Sequence, residues 1–577
     1  MNFAKKIVGG LVSDALKKIV SDEILDNETI ISLLEYPPSS ENGDLAFPCF
    51  RLSKALRKAP PAIASELNSL LGFDPLIERT AIAGGYLNFY LNKTEFLKTM
   101  LCEIISKGAA FGSSDEGAGK TVVLDYSSPN VAKPFHIGHL GTTVIGHSLK
   151  KLHEFSGYKC VGVNHLGDWG TQFGKLIVAY RKWGDADVII KNGIDELVKL
   201  YVRFHTEAEK DDSLNEMARV EFTKMENGDE DNLKLWKWFI DISLTEYKKT
   251  YSQLGIEFDS YLGESFYYDK IPVALEKMKE AGILTVDDGA TMVDLKEYDM
   301  PPCLILKSDG STLYAARDIP AAIYRKETYD FEKCIYVTDA GQSLHFKQWF
   351  KVISLMGNNW GDKLVHVPYG KVSIGGEKLA TRTGNVILLK DLFRAAIEKV
   401  SSIIDEKNPG LESRDEAAEA VGVGAIVFHY LSGGRIKNID FTIEDALSFD
   451  GNTGPYAQYT YARTCSILTK AKETGKYPIS KDISNFTVTE NDEFELIKVL
   501  AIFPEKVKSA LDAYEPSVIT RYIFDVSTAF NRFYHNCQVL GADNDDIRNA
   551  RILLTEAAGH VLKSAFGLIC MKAPEKI

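Results

Sequence analysis

The stretch from Asp125 to Leu149, DYSSPNVAKPFHIGHLGTTVIGHSL, limits the fold more than any other part of this 577-residue chain. The apolar run TVVLDY before it reads as a short buried strand, and Leu140 to Phe155 carries Leu140, Val144, Ile145, Leu149 and Leu152 on one helical face. Gly157 stops that helix before a second apolar run, YKCVGVNHL. Strand, loop, helix and strand in this order form a βαβ unit, because two parallel strands can be joined only by a long crossover. Further strands are expected in PCLILK, CIYVTDA and KLVHVPYG, with a tight turn at Asp309-Gly310. The expected fold class is α/β, built on a doubly wound parallel sheet.

Loop-rich segments divide the chain. EYPPSSENGDL (35–45), FGSSDEGAGK (111–120) and DEKNPGLESRDE (405–416) collect turn formers between periodic stretches. They suggest an α+β N-terminal domain over 1–115 and a central domain over 116–447. An all-α bundle is expected over 448–577. Charged amphipathic helices around 185–258 look like an insertion between the two halves of the central sheet.

Composition mainly excludes. No run of about 18 apolar residues is found, so no membrane span is expected. Asp14, Asp22 and Glu23 argue against a targeting peptide, which points to the cytoplasm. Eight cysteines without a CxxC pair read as scattered thiols. The net charge of −13 divides into −2 for residues 1–120, −11 for 121–450 and 0 for 451–577. A phosphate-rich partner stays open, because local fields and not net charge steer it. Nothing advertises a coiled coil, and a monomer is expected.

One apparent phosphate loop is a decoy. GAGKT (117–121) has Ser114 where the first glycine belongs, and a strand instead of a helix follows the lysine. PNVAKPFHIGH is better placed, since it leaves a strand's carboxyl end and opens a helix, where phosphates meet orphan N–H groups. His136 and His139, three residues apart, can both donate to one anion, and Gly138 leaves room for a flat adenine ring. Taken singly, a histidine reads more readily as a satisfied structural residue. A zinc pair lacks the further ligands it needs.

HIGH resembles the signature of the class I aminoacyl-tRNA synthetases. DYSSPNVAKPFHIGHL with NHLGDWGTQFGKLI (164–177) resembles the arginyl-tRNA synthetase family in particular. The likeness runs along essentially the whole chain, through GDLAFPCFRLSKAL, GGYLNFYL, LGIEFDSYLGES, TLYAARDIPAAIYR, YVTDAGQSLHFKQWF, TGPYAQYTYARTCSIL and FNRFYHNCQVL. It implies a Rossmann-like catalytic domain that joins arginine to tRNA(Arg). ATP with Mg²⁺ would be the substrate complex, with no tightly bound protein metal. By the same resemblance the N-terminal domain contacts the outer corner of the tRNA, and the C-terminal bundle reads the anticodon.

The resemblance also assigns residues. His136, Gly138, His139 and Lys378 fall on the ATP. KLATRTGN (378–385) matches the mobile KMSKS loop, but Thr381 replaces the second lysine, so Lys133, Lys378 and Arg382 are expected to supply cationic charge for catalysis. Tyr314 and Asp318 match the guanidinium pocket, Asp125 a second acid, and Asn130 and Gln342 the holders of the amino and carboxylate groups. Without the family, Asp318 ahead of IPAAIYR reads as a helix cap. Tyr456, Tyr459 and Arg463 are candidates for stacking on anticodon bases, although tyrosines at this spacing, Tyr461 included, more often belong to a core. Phe530, Phe533 and Tyr534 read as core. The chain departs from the family at Gly141, where an arginine is usual, and at its last residue, Ile577. Two competing readings are a small-molecule nucleotidyltransferase with the same HxGH and a noncatalytic tRNA-binding paralogue.

Overall fold

The computed structural model describes residues 2–20, 24–374, 377–378, 387–448, 451–478, 482–542 and 544–577. The helix Asn2–Ile19 buries Ala4, Val8, Val12 and Ala15. A three-stranded antiparallel sheet follows, of β1 (Leu45–Pro48), β2 (Ile77–Ala83) and β3 (Tyr86–Leu91), in the order β1-β3-β2.

The central sheet begins with β4 (Thr121–Asp125), the helix Leu140–Phe155 and β5 (Lys159–Val163), with β4 and β5 parallel from Thr121–Lys159 to Asp125–Val163. Both bounds of that helix match its apolar periodicity. The chain then leaves the sheet until β9. It first forms the helices Thr171–Trp183, Ile194–Ala208, Ser213–Glu226 and Glu230–Leu254, which enclose their own core around Phe173, Leu197, Phe204 and Phe239. Next come β6 (Leu284–Asp287), β7 (Ala290–Val293) and β8 (Cys303–Leu306), then the helix Tyr314–Tyr329. The parallel sheet is completed by β9 (Lys333–Asp339) and β10 (Leu364–Tyr369), in the order β10-β9-β4-β5. One expectation needs correcting here. The run PCLILK is a strand, but β8 pairs antiparallel with β7 in a side sheet and takes no part in the parallel one.

Beyond the central sheet, β11 (Val372–Ile374) pairs antiparallel with β12 (Glu377–Lys378) and parallel with β13 (Ile439–Phe441). The C-terminal helices Gly454–Glu473, Asn491–Ala501, Phe503–Ala513, Ser517–Asn536 and Asp545–Leu568 form a bundle. Its apolar core is continuous with those of the first sheet and of the helix Leu140–Phe155. Phe96 meets Phe494 edge-on at 5.9 Å, and Phe503 lies 6.3 Å from Phe111 and 6.1 Å from Phe155. On the buried face of the helix Leu140–Phe155, the Ser148 hydroxyl donates to the Leu568 carbonyl at 2.7 Å. No helix among the described residues is long and apolar enough to cross a membrane.

Between β4 and β9 the sheet reverses its winding, which makes the carboxyl ends of these two strands its switch point. In open α/β sheets that is where ligands bind.

Candidate active site

The loop leaving β4 at this switch point carries the histidines. His136 caps a short 3-10 turn, Ile137–His139, that runs into the long helix. Its Nδ1 accepts the Gly138 N–H at 3.1 Å, and the Nδ1 of His139 accepts the His136 N–H at 3.2 Å. With both Nδ1 atoms engaged as acceptors, each neutral ring carries its proton on Nε2. Burial, reinforced by Lys133, holds His136 down at about 4. Burial, with His136 and Lys133 adding to it, holds His139 at about 3. Two uncharged N–H donors of defined tautomer therefore stand side by side at neutral pH, their rings 4.0 Å apart. The segment is pinned from outside as well, since Ile137 N–H donates to Ile387 O and Leu389 N–H to Phe135 O, each at 3.0 Å. Lys378 enters the described structure only through its backbone, in β12 opposite Ser373, and Arg382 lies outside the described residues.

Gly141 has a plain structural reason. A β-carbon there would collide with the Tyr430 hydroxyl and stand 3.0 Å from the Tyr369 ring, so the family's arginine has no room.

A second group of candidate residues is acidic, and its acids already have partners. The Asp318 carboxylate accepts from His345 Nε2 at 2.6 Å. Tyr314 opens the helix that carries Asp318, is 72% exposed, and lies edge-on to the ring of His345, which sits on the helix Ser343–Leu355, at 6.3 Å. Asp318 thus sits in the second turn of a helix that starts at Tyr314, which corrects its reading as a cap. Asp125 is committed inward. Its Oδ2 lies 2.8 Å from the buried Arg325 guanidinium, and its Oδ1 accepts from Ser128 Oγ at 2.7 Å. Asn130 sits on the exposed side of the loop, its side chain so close to Gly167 that a β-carbon there would run into it. Gln342 ends the exposed turn after β9.

Sequence reasoning missed Glu264, in the GES segment. It pairs with Arg317 at 3.2 Å and lies near enough to Asp318 and Asp168 to feel their charge. Burial outweighs the Arg317 attraction and, with Asp318 and Asp168, pushes Glu264 up to about 7. The segment is anchored by Asp168 of NHLGDWG, whose carboxylate accepts from Ser265 N–H at 2.8 Å and Ser265 Oγ at 2.7 Å. Glu264 and His345 lie far from Asp318 in the chain, so only the fold brings them together.

In the bundle, Arg463 lies 5.0 Å from the Tyr459 ring and 5.2 Å from the Tyr534 ring. Tyr459 is 47% exposed and Tyr534 43% exposed, which moves Tyr534 from the core to the surface, while Phe530, Phe533 and Tyr461 are buried. Tyr456 is partly buried, its hydroxyl accepting from Asn531 Nδ2 at 2.9 Å.

Neutral histidine donors at the switch point of a parallel sheet suit a class I aminoacyl-tRNA synthetase, whose HIGH motif they carry. The family model for the class I (R) catalytic domain of tRNA synthetases matches residues 101–443. An arginyl-tRNA synthetase N-terminal domain matches 7–91, and a DALR anticodon-binding domain matches 457–577. An arginine–tRNA ligase of Alkaliphilus metalliredigens is 48% identical over the whole of both chains. One of Clostridioides difficile is 48% identical over 98% of this chain and 99% of its own. The solved arginyl-tRNA synthetase of Plasmodium falciparum superposes with a TM-score of 0.78 at 26% identity, over 100% of this chain and 99% of that one. That of Thermus thermophilus shares the fold, with a TM-score of 0.83 at 24% identity over 99% and 100% of the two chains. The chain belongs to the arginyl-tRNA synthetase family.

Proposed function

We propose that the chain activates arginine with ATP and transfers it to the 3′ end of tRNA(Arg), releasing pyrophosphate and then AMP. In the first step the arginine carboxylate attacks the α-phosphorus and pyrophosphate leaves. In the second, the terminal ribose hydroxyl of the tRNA attacks the adenylate carbonyl and AMP departs. No side-chain nucleophile is needed, so the protein's task is to position the reactants and to donate to charge developing on the phosphate oxygens.

His136 and His139 supply Nε2–H donors to the phosphates, Gly138 gives the adenine its space, and Lys133, with Lys378 and Arg382, adds cationic charge. Mg²⁺ enters with the ATP, where it screens the triphosphate. Asp318 meets the guanidinium in a charge-assisted, two-pronged contact beside Tyr314, with Glu264 as a second acid and Asp125 behind them. Asn130 and Gln342 hold the amino and carboxylate groups. The boundaries near 115 and 447 then divide a tRNA-corner domain, a catalytic domain and an anticodon-binding bundle, on which Tyr456, Tyr459 and Arg463 face RNA. The enzyme acts as a cytoplasmic monomer.

The observation that carries this reading is the pair of backbone-locked neutral histidines that follows the carboxyl end of β4, at the sheet's switch point. Its test is ATP–pyrophosphate exchange with each of the twenty amino acids, with and without bulk tRNA. Exchange with arginine alone is expected, and dependence on tRNA would fit the family's habit. No exchange with any amino acid, alongside stable tRNA binding, would overturn it in favour of a noncatalytic binder.

A further inference from the structure

The loop that carries the catalytic groups cannot hold its own shape. Ser127, Ser128 and Ala132 all lie in the left-handed region, at φ of 69°, 45° and 60°, although none is glycine. Such conformations are unfavourable and persist only when the surroundings enforce them.

One helix provides much of that enforcement. Glu230–Leu254, the last helix of the insertion, presents Ser243, Tyr247 and Tyr251 at four-residue intervals, hence on one face. All three are buried, with exposures of 0%, 0% and 1%. The Ala132 N–H donates to Ser243 Oγ at 3.1 Å. The Tyr247 hydroxyl reaches two backbone carbonyls at once, Asn130 O at 2.9 Å and Lys133 O at 2.7 Å. The Tyr251 hydroxyl bonds Ser127 Oγ at 2.7 Å and accepts from Asn164 Nδ2 at 3.0 Å. The Phe135 ring lies 5.3 Å from Tyr247 and 5.5 Å from Tyr251, and is stacked on His139 at 5.2 Å.

We propose that Ser243, Tyr247 and Tyr251 are positioning residues for arginine activation, a ladder of hydroxyls that keeps Asn130, Lys133 and, through Phe135, His139 in mutual register. The ladder touches no reacting atom. The inference rests on the assignment of those three residues to arginine and ATP. A single phenol proton bridges the backbone of a substrate-holding residue and a charge-supplying one, so its loss should disturb both functions together.

Tyr247→Phe keeps the ring against Phe135 and removes only the donor. It should lower the kcat of arginine-dependent ATP–pyrophosphate exchange at least about tenfold and raise the arginine KM, as small misplacements of catalytic groups do. The melting temperature should change little. Leu235→Ala, on the same helix but facing the insertion's own core, should lower the melting temperature and leave the exchange kinetics intact. Tyr247→Phe combined with Asn130→Ala should cost less than the product of the two single effects, because the residues act as one unit. Should Tyr247→Phe fail to fold, Ser243→Ala carries the same test. Wild-type kinetics in Tyr247→Phe, or a loss no larger than its melting temperature explains, overturns the proposal. Silent Asn130→Ala and Lys133→Ala variants beside a crippled Tyr247→Phe would retire the roles of those two residues. That outcome would still support the ladder, acting through Phe135 and His139.

Discussion

Under the proposed function, the two ends of the site are built on opposite principles. At the phosphate end the donors are neutral, and backbone amides define their tautomers, so little has to change when ATP arrives. At the arginine end the groups are acids that already have partners: Asp318 with His345, Glu264 with Arg317, and Asp125 with Arg325. A guanidinium entering there must share or exchange contacts that the protein makes with itself. A fixed donor set stabilises charge as it forms, whereas paired acids select a ligand by what it can replace.

The sharpest way to break this contrast is to remove a fixed donor. His139→Ala should lower the rate of adenylate formation by about 10²- to 10³-fold, as loss of one preorganised donor does, with tRNA affinity little changed. An unaltered exchange rate would sink the HIGH assignment. Asp318→Asn should raise the arginine KM by about 10- to 100-fold, the worth of a hydrogen bond between charged groups, while the ATP KM holds. A proportionate rise in both constants would remove Asp318 from the guanidinium.

The ends should also respond differently to pH. Glu264, pushed up to about 7, gains a proton as pH falls through neutrality. The arginine KM should therefore rise below pH 7, by at most about tenfold per unit. His136 and His139, at about 4 and about 3, stay neutral over that range, so the ATP KM should stay flat. Measuring both constants from pH 8 to pH 5.5 checks this, and Glu264→Gln should flatten the arginine curve. The smallest effect belongs to His345→Ala, which frees the half-exposed Asp318 carboxylate and should change the arginine KM about two- to fivefold. A shift in the ATP KM would show that the two ends are not separable.

Local features were legible before the fold was known. The helix Leu140–Phe155 follows from its apolar spacing, and the histidine pair follows from its place between strand and helix. Pairings between distant segments were not. Four apolar residues of β8 look the same whether their neighbour runs parallel or antiparallel, because the hydrogen-bonding partner lies in another strand. Asp318 read as a cap because aspartate favours that position, but the helix starts a full turn earlier. Glu264 and His345 carry no signal of their own, since each gains its meaning from Asp318, which it meets only through the fold. Tyr534 shows the same limit at the surface, where an aromatic at helical spacing stays exposed beside Arg463.

The bond from Ser148 to the Leu568 carbonyl has a consequence for inheritance. Written along the chain, the C-terminal bundle looks like a cassette that relatives could exchange. Yet its final helix closes the back of the helix that starts at the histidines, and Phe503 lies among Phe111 and Phe155 from the earlier parts. A recombinant that took this bundle from a distant relative would import the wrong wall for its own active-site helix. Substitutions on one of these two surfaces are therefore expected to need matching changes on the other, which would tie the bundle and the histidine-bearing helix into one inherited unit.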